Sequence, residues 1–395
     1  MKKLGLLPKL IIGIALGIVI GAISSNVGTE IPVRLLATYN GIFSQFLGFV
    51  IPLIIIGFIV PGIADLGQGA GKTLASTAGI AYLSTICAGT LAFLTATVLF
   101  PAMLKGNDSL LQHVFENPEE TTLGGYFTVQ MPAIMGVMSA LILAFVLGLG
   151  IAVTKSATLK SIFDEFQSII SKVIANIIIP LLPIHVMGIF CNLTYAGTIV
   201  AIMSTFAKVF AVVIVLHCVI ILIQYLIGGA LSHKNPFVCI KNMLPAYATA
   251  IGTQSSAATI PVTNAQTKLN GVSPEIADFV VPLCATIHLS GSTITLTCCS
   301  MSIMMMAGMN CGFGTMFPFI LMLGVTMVAA PGVPGGAVMA ALGLLESMLG
   351  FNEVQLSLMI ALYLAQDSFG TACNVTGDGA IALIVDALFG KKQNA

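Results

Sequence analysis

The chain has 395 residues, of which 57% are hydrophobic and 8% charged, and its 15 basic and 15 acidic side chains cancel at neutral pH. A soluble domain carries about 25% charged residues, so the composition excludes a water-soluble enzyme or nucleic-acid binder and describes a polytopic membrane protein. At about 20 residues per crossing there is room for roughly 8 to 10 apolar segments.

Met1-Lys2-Lys3 leads into an apolar run from Leu10 to Ile23 without a small-residue cleavage site before the next span. That run reads as the first transmembrane helix and not as a secretory signal. Full-length spans follow the apolar segments at about 8–25, 38–65, 73–101, 127–153, 163–192 and 203–230, the fifth bent at Pro180 and Pro183. Lysines 2, 3, 9, 72, 155, 160, 234, 241, 268, 391 and 392 fall at one set of loops and at the two chain ends. The alternate long loop, 102–125, sets Lys105 against Asp108, Glu116, Glu119 and Glu120. Positive charge stays inside, so both termini are expected on the cytoplasmic side of a cytoplasmic (inner) membrane. The nine cysteines include no C-x-x-C pair and are expected as buried free thiols. His185 and His217, inside spans, are expected to hydrogen-bond neighbouring helices.

From residue 236 the pattern changes. Residues 236–268 break at "GTQSSAAT" (252–259), and residues 315–350 break at "APGVPGG" (330–336). Arms of about 15 residues are too short to cross a core of about 30 Å at 1.5 Å per residue, so each pair of arms reads as a re-entrant helical hairpin. A helix with a polar interruption follows each: 275–309, broken at "IHLSGS" (287–292), and 354–389, carrying "DSFGTACNVTGD" (367–378). The six full spans and these two make eight transmembrane helices, and hairpin-helix-hairpin-helix is an internal repeat. Paired interrupted segments in matching positions point to a transporter's substrate site. At 100° per residue Asp367, Thr371, Asn374 and Asp378 share a narrow arc with Gly370 beside them. A packed polar seam would explain such a stripe, but it leaves two buried acids without a reason. The methionine run at 300–309 reads as packing rather than a soft-metal site, and Gly332, Gly335 and Gly336 lack the strand and lysine of a phosphate loop.

The stretches "GTQSSAATIPVT", "PLCATIHLSGS", "APGVPGGA" and "DSFGTACNVTGD" together resemble the dicarboxylate/amino acid:cation symporters, the glutamate-transporter fold, over nearly the whole chain. The resemblance implies an all-α protein with inverted repeats, a homotrimer in membrane lipid, and an elevator motion. The scaffold would comprise 1–72 and 102–202, and the transport domain 73–101 and 203–395. Asp367 then corresponds to the carboxylate that pairs with a substrate ammonium, and Asn374 to the amide that holds its carboxylate. Ser255 and Ser256 of the first hairpin tip, Val333, Pro334 and Gly335 of the second, Thr371 and Gly370 would line the same pocket. Asp378 corresponds to a sodium ligand, helped by backbone carbonyls of Cys284, His288 and Asn374.

The departures carry the substrate reading. Acidic-substrate members clamp the second carboxylate with an arginine on the last helix or at the first hairpin tip. Here those positions are Gly370 and Gln254, and the one arginine of the chain is Arg34. A neutral amino acid is therefore expected, moved with one or two sodium ions. A third sodium site of the family meets His288, Ser290 and Ile86 in place of its ligands, beside Tyr82 and Thr85, and is expected to be lost. His288 either carries a proton or is a neutral ring bonded to Ser290 or Thr85. The alternatives are a larger substrate such as cystine, proton coupling, and, in a different class, an ion or anion channel. No nucleophile-base motif supports an enzyme, and no nucleic-acid partner is expected.

Overall fold

The computed structural model describes residues 6–67, 72–104, 123–197, 199–328, 330 and 334–390, and these form helices and connectors without a strand among them. Three long helices come first: α1 (Leu6–Val27), α2 (Ile31–Gly67) and α3 (Lys72–Leu104). After an irregular connector come α4 (Val137–Thr154) and α5 (Ala157–Val173), which continues through a π-helical turn at Ile174–Ile178 into α6 (Ile179–Tyr195). α7 (Ile199–Ser232) precedes the first hairpin, α8 (Pro236–Thr253) and α9 (Ser256–Leu269). α10 (Pro274–Ile287) and α11 (Ser290–Met306) lead to the second hairpin, α12 (Phe313–Val328) and α13 (Gly336–Leu349), and α14 (Glu353–Phe389) closes the fold.

Seven stretches of described helix are long and apolar enough to cross a membrane: α1, α2, α3, α5 with α6, α7, α10 with α11, and α14. The expected fourth span, 127–153, differs. It is helical only from Val137, and 123–136 has no regular helix. Gly124, Gly125, Pro132 and Gly136 disfavour a helix there, and side chains of α2 and α6 satisfy the backbone instead. Asn192 Oδ1 accepts from the Leu123 N–H at 3.0 Å while its Nδ2 donates to the Leu123 carbonyl at 2.8 Å. Thr38 Oγ1 accepts from the Tyr126 N–H at 2.8 Å, and Gln45 Oε1 from the Met131 N–H at 3.3 Å. Irregular backbone at membrane depth requires such partners. The bend expected at Pro180 and Pro183 takes the form of the π turn, because a proline ring collides with the carbonyl four residues back in a regular helix.

The first hairpin breaks over only two residues, Gln254 and Ser255. Gln254 turns the chain at φ +52°, and Ser255 caps α9 by accepting from the Ala258 N–H. Arms of 18 and 14 residues in the first hairpin, and 16 and 14 in the second, reach at most ~27 Å at 1.5 Å per residue. The break between α10 and α11 is likewise short, at His288 and Leu289. The expectation of a second interrupted helix is corrected: α14 runs unbroken through its polar motif for 37 residues. It contains no proline, its glycines are isolated, and its polar groups find partners outward from one face.

α14 packs against α7, α8, α9, α10 and α11, while α1 packs on α6 and α2 on α4, α5 and α6. α11 is almost wholly buried from Ser290 to Met306. Between α2 and the α13–α14 corner lies a cavity of about 280 Å³, and three hydrogen bonds tie the elements near it. His185 joins Asn40 at 3.1 Å and Ser357 at 3.0 Å, and Gln45 donates to Glu353 at 3.1 Å. All nine cysteines are free thiols, six of them buried.

Gly13, Gly17 and Gly21 form one small-residue stripe of α1, and a Cβ on each would run into the α6 backbone at Pro183, Met187 and Cys191 respectively. Close helix approach in a membrane relies on such stripes. Gly17→Val should therefore lower stability in detergent by about 1–3 kcal/mol, read as a fall in melting temperature. Gly150→Val, where nothing lies within 4 Å of an added Cβ, should leave it unchanged. Equal melting of the two variants would contradict this packing.

Candidate functional site

Two buried carboxylates on α14 organise the site. Asp367 is 5% exposed and Asp378 0%, and each sits in a different set of partners.

The first hairpin tip and the second meet α14 at consecutive residues. The Gly335 N–H, at φ +73° where glycine is at ease, donates to Asp367 Oδ2 at 2.7 Å. Gln254 Nε2 donates to Ser368 Oγ at 2.8 Å. Ser256, first residue of α9, is buried beside this junction, and Ser255 is occupied as the α9 cap. Pro334 adjoins Gly335 at the second tip. Val333 lies outside the described residues. Thr371 is buried on the Asp367 stripe.

One turn beyond Gly370, Asn374 is held tightly. Its Oδ1 accepts from the Gly291 N–H at 2.8 Å and the Ser292 N–H at 3.3 Å, and its Nδ2 donates to Ser292 Oγ at 3.0 Å. The free N–H groups at the start of α11 are thus capped across space by a side chain of α14. This needs close approach: a Cβ on Gly291 would lie 2.6 Å from Cys373 Cβ and from the Gly370 carbonyl oxygen. The second Asn374 N–H has no hydrogen-bond partner among the described residues. A Cβ on Gly370 would meet Ser292 N and Thr295 Oγ1 at 3.7 Å, ordinary contact, so residue 370 faces the start of α11 with room for a small side chain.

Around Asp378 the partners of His288 differ from those expected of a neutral ring. The ring bonds neither Ser290 nor Thr85. Its Nδ1 lies 3.0 Å from Asp378 Oδ1, its Nε2 3.1 Å from Ser84 Oγ and 3.4 Å from Gln224 Nε2. Gln224 Nε2 also donates to Ser84 Oγ at 2.9 Å and to Ser290 Oγ at 3.2 Å. Ser84 already accepts from the amide, so its own hydrogen is free for Nε2. A donor amide also faces that nitrogen, so the network suits a neutral ring with its proton on Nδ1 toward the carboxylate. Thr85 bonds its own helix at Ala81. Tyr82 donates to the Leu321 carbonyl at 3.2 Å, and with Ile86 it packs on Gly324 of α12. Of the residues compared with a third sodium site, Ser290 shares the Gln224 amide with His288, while Tyr82, Thr85 and Ile86 bond or pack elsewhere.

A cation fits one part of this network. Asp378 Oδ2 and Gln224 Oε1 are buried without a partner among the described residues, and a buried carboxylate oxygen needs a donor or a cation. The Cys284 carbonyl accepts from the His288 N–H at 2.9 Å and keeps a second lone pair. The donor set is oxygen only, suited to a hard cation.

His217 Nε2 donates to the Gly291 carbonyl at 3.0 Å and lies 3.3 Å from Thr295 Oγ1, and so links α7 to α11. His185 links α6 to α2 and α14. Sequence reasoning missed Gln224, Ser84 and Tyr363. Gln224 was detectable as an amide inside apolar α7, and Tyr363 as the residue one turn before Asp367 on the same face.

Leucine at 224 would leave Ser84 and Ser290 without their buried donor. Gln224→Leu should cost about 1–3 kcal/mol of stability, measured as thermal unfolding of the purified protein. Unchanged melting would show that the network contributes nothing.

The model of the sodium:dicarboxylate symporter family matches residues 6–388. The serine/threonine transporter SstT of Acinetobacter baumannii is 25% identical over 399 residues, covering 98% of this chain and 97% of its own. An excitatory amino acid transporter of Caenorhabditis elegans is 27% identical over 293 residues, 72% of this chain and 57% of its own. Human excitatory amino acid transporter 2 is 27% identical over 286 residues, 70% of this chain and 49% of its own. The match to these two spans only about half of their length.

Proposed function

From a chain that belongs to the sodium:dicarboxylate symporter family, a multi-pass membrane transporter and not an enzyme, we propose a secondary-active symporter that carries a neutral amino acid down a sodium gradient across the cytoplasmic membrane. The observation that carries this reading is the meeting of both hairpin tips at Asp367 and Ser368, with no basic side chain bonded there among the described residues. Arg34 pairs with Glu30 on α2, and Lys268 with Asp278 where α9 meets α10. A substrate with a second carboxylate would bury it without a partner, at a cost of several kcal/mol.

In this reading Asp367 Oδ1 takes the substrate ammonium while Oδ2 keeps the Gly335 amide. The remaining N–H of Asn374 and the hairpin-tip amides take the carboxylate, and Asp378 Oδ2 takes sodium with carbonyls of Cys284, His288 and Asn374. One or two sodium ions are coupled. The neutral ring of His288, placed between an acid and two donors, favours sodium over proton coupling. Full-length likeness to a serine/threonine transporter supports a neutral substrate. The packing of α14 with α7–α11 supports a transport domain built from α3 and α7–α14, moving as an elevator against a trimeric scaffold of α1, α2 and α4–α6, with both termini cytoplasmic.

Proteoliposomes with an imposed sodium gradient test the function. Labelled serine, threonine or alanine should accumulate against its gradient, and collapse of the sodium gradient should stop it. No accumulation of any neutral amino acid, or accumulation indifferent to sodium, would overturn the proposal. Asp367→Asn should reduce substrate affinity at least ~100-fold, since it removes a buried charge pair; wild-type affinity would refute the ammonium role. Gly370→Arg should abolish neutral amino acid uptake or admit aspartate, and indifference would remove residue 370 from the pocket.

A further inference from the structure

Tyr363 lies one turn before Asp367 on the same face of α14 and is 1% exposed. Its hydroxyl donates to Ser292 Oγ at 2.8 Å, the same oxygen that accepts from Asn374 Nδ2 at 3.0 Å. Tyr363 and Asn374 are eleven residues apart, ~16 Å along a helix axis at 1.5 Å per residue. Two side chains can converge on one oxygen over that distance only if both lie nearly along the axis. The phenol therefore runs toward the C-terminal end of α14, alongside Asp367, with its hydroxyl at Ser292 of α11.

We propose that Tyr363 is a specificity-determining and positioning residue of the substrate site. The ring, packed beside Asp367, restricts the substrate to small side chains. The hydroxyl, through Ser292, fixes the Asn374 amide with one N–H aimed at the substrate carboxylate. This rests on the neutral amino acid reading and narrows it to small substrates of the alanine, serine and threonine size.

Equilibrium binding of labelled serine to the purified full chain in sodium, with leucine and methionine as competitors, separates the two roles. Wild type should bind serine at least ~10-fold more tightly than leucine or methionine. Tyr363→Ala should shrink that ratio at least ~5-fold by opening the space. Tyr363→Phe keeps the ring and should preserve the ratio while weakening serine and leucine by a similar factor of ~5. An unchanged ratio in a Tyr363→Ala protein that melts like wild type overturns the steric role. Unchanged affinities in Tyr363→Phe overturn the positioning role, and that variant decides the matter if the alanine variant does not fold. Wild type binding none of serine, threonine and alanine contradicts the function proposed above and removes this inference with it, whereas wild-type binding with no effect of either variant overturns the inference alone.

Discussion

Burial of two carboxylates on one helix inside a membrane protein is the constraint on which the rest of the structure depends. An ionised acid in such a place needs partners or a cation, and α14 gives Asp367 and Asp378 different ones. Asp367 draws an amide from the second hairpin tip, while Asp378 draws an imidazole from the break between α10 and α11. Each acid is thus completed by a place where helix continuity fails. The breaks free the backbone groups and side chains that an unbroken helix would have consumed.

The crossing of α11 over α14 joins the two regions. Asn374 caps the first N–H groups of α11, and Gly291 lets the backbones come close enough for it to do so. Ser292 collects hydrogen bonds from both Tyr363 and Asn374. Residues separated by three turns on α14 are therefore held by a single residue of α11. Such a network is rigid only when complete, so Tyr363 and Asn374 share one support.

Much of this was legible in the sequence, and the failures share a cause. Composition gave the membrane class, short arms gave the hairpins, and 100° periodicity gave the acid stripe of α14, because each depends on local sequence alone. The extended stretch before Val137 escaped notice because its partners Thr38, Gln45 and Asn192 lie on α2 and α6, far away in the chain. The partner of His288 escaped for the same reason: Asp378 is 90 residues away. A polar motif in an apolar helix looked like an interruption, yet side-chain partners on neighbouring helices let α14 continue. Local pattern reveals which residues are out of place, and tertiary contact decides what answers them.

The central claim is that the two acids are divided, one for substrate and one for the coupling cation. Its most direct measurement is the affinity for labelled serine as a function of sodium concentration, in wild type and in Asp378→Asn. Linkage makes the slope of log affinity against log sodium count the ions bound with substrate. The account predicts a slope of roughly one to two in wild type, reduced by about one in the variant, with serine still bound at high sodium. An unchanged slope in Asp378→Asn would contradict it.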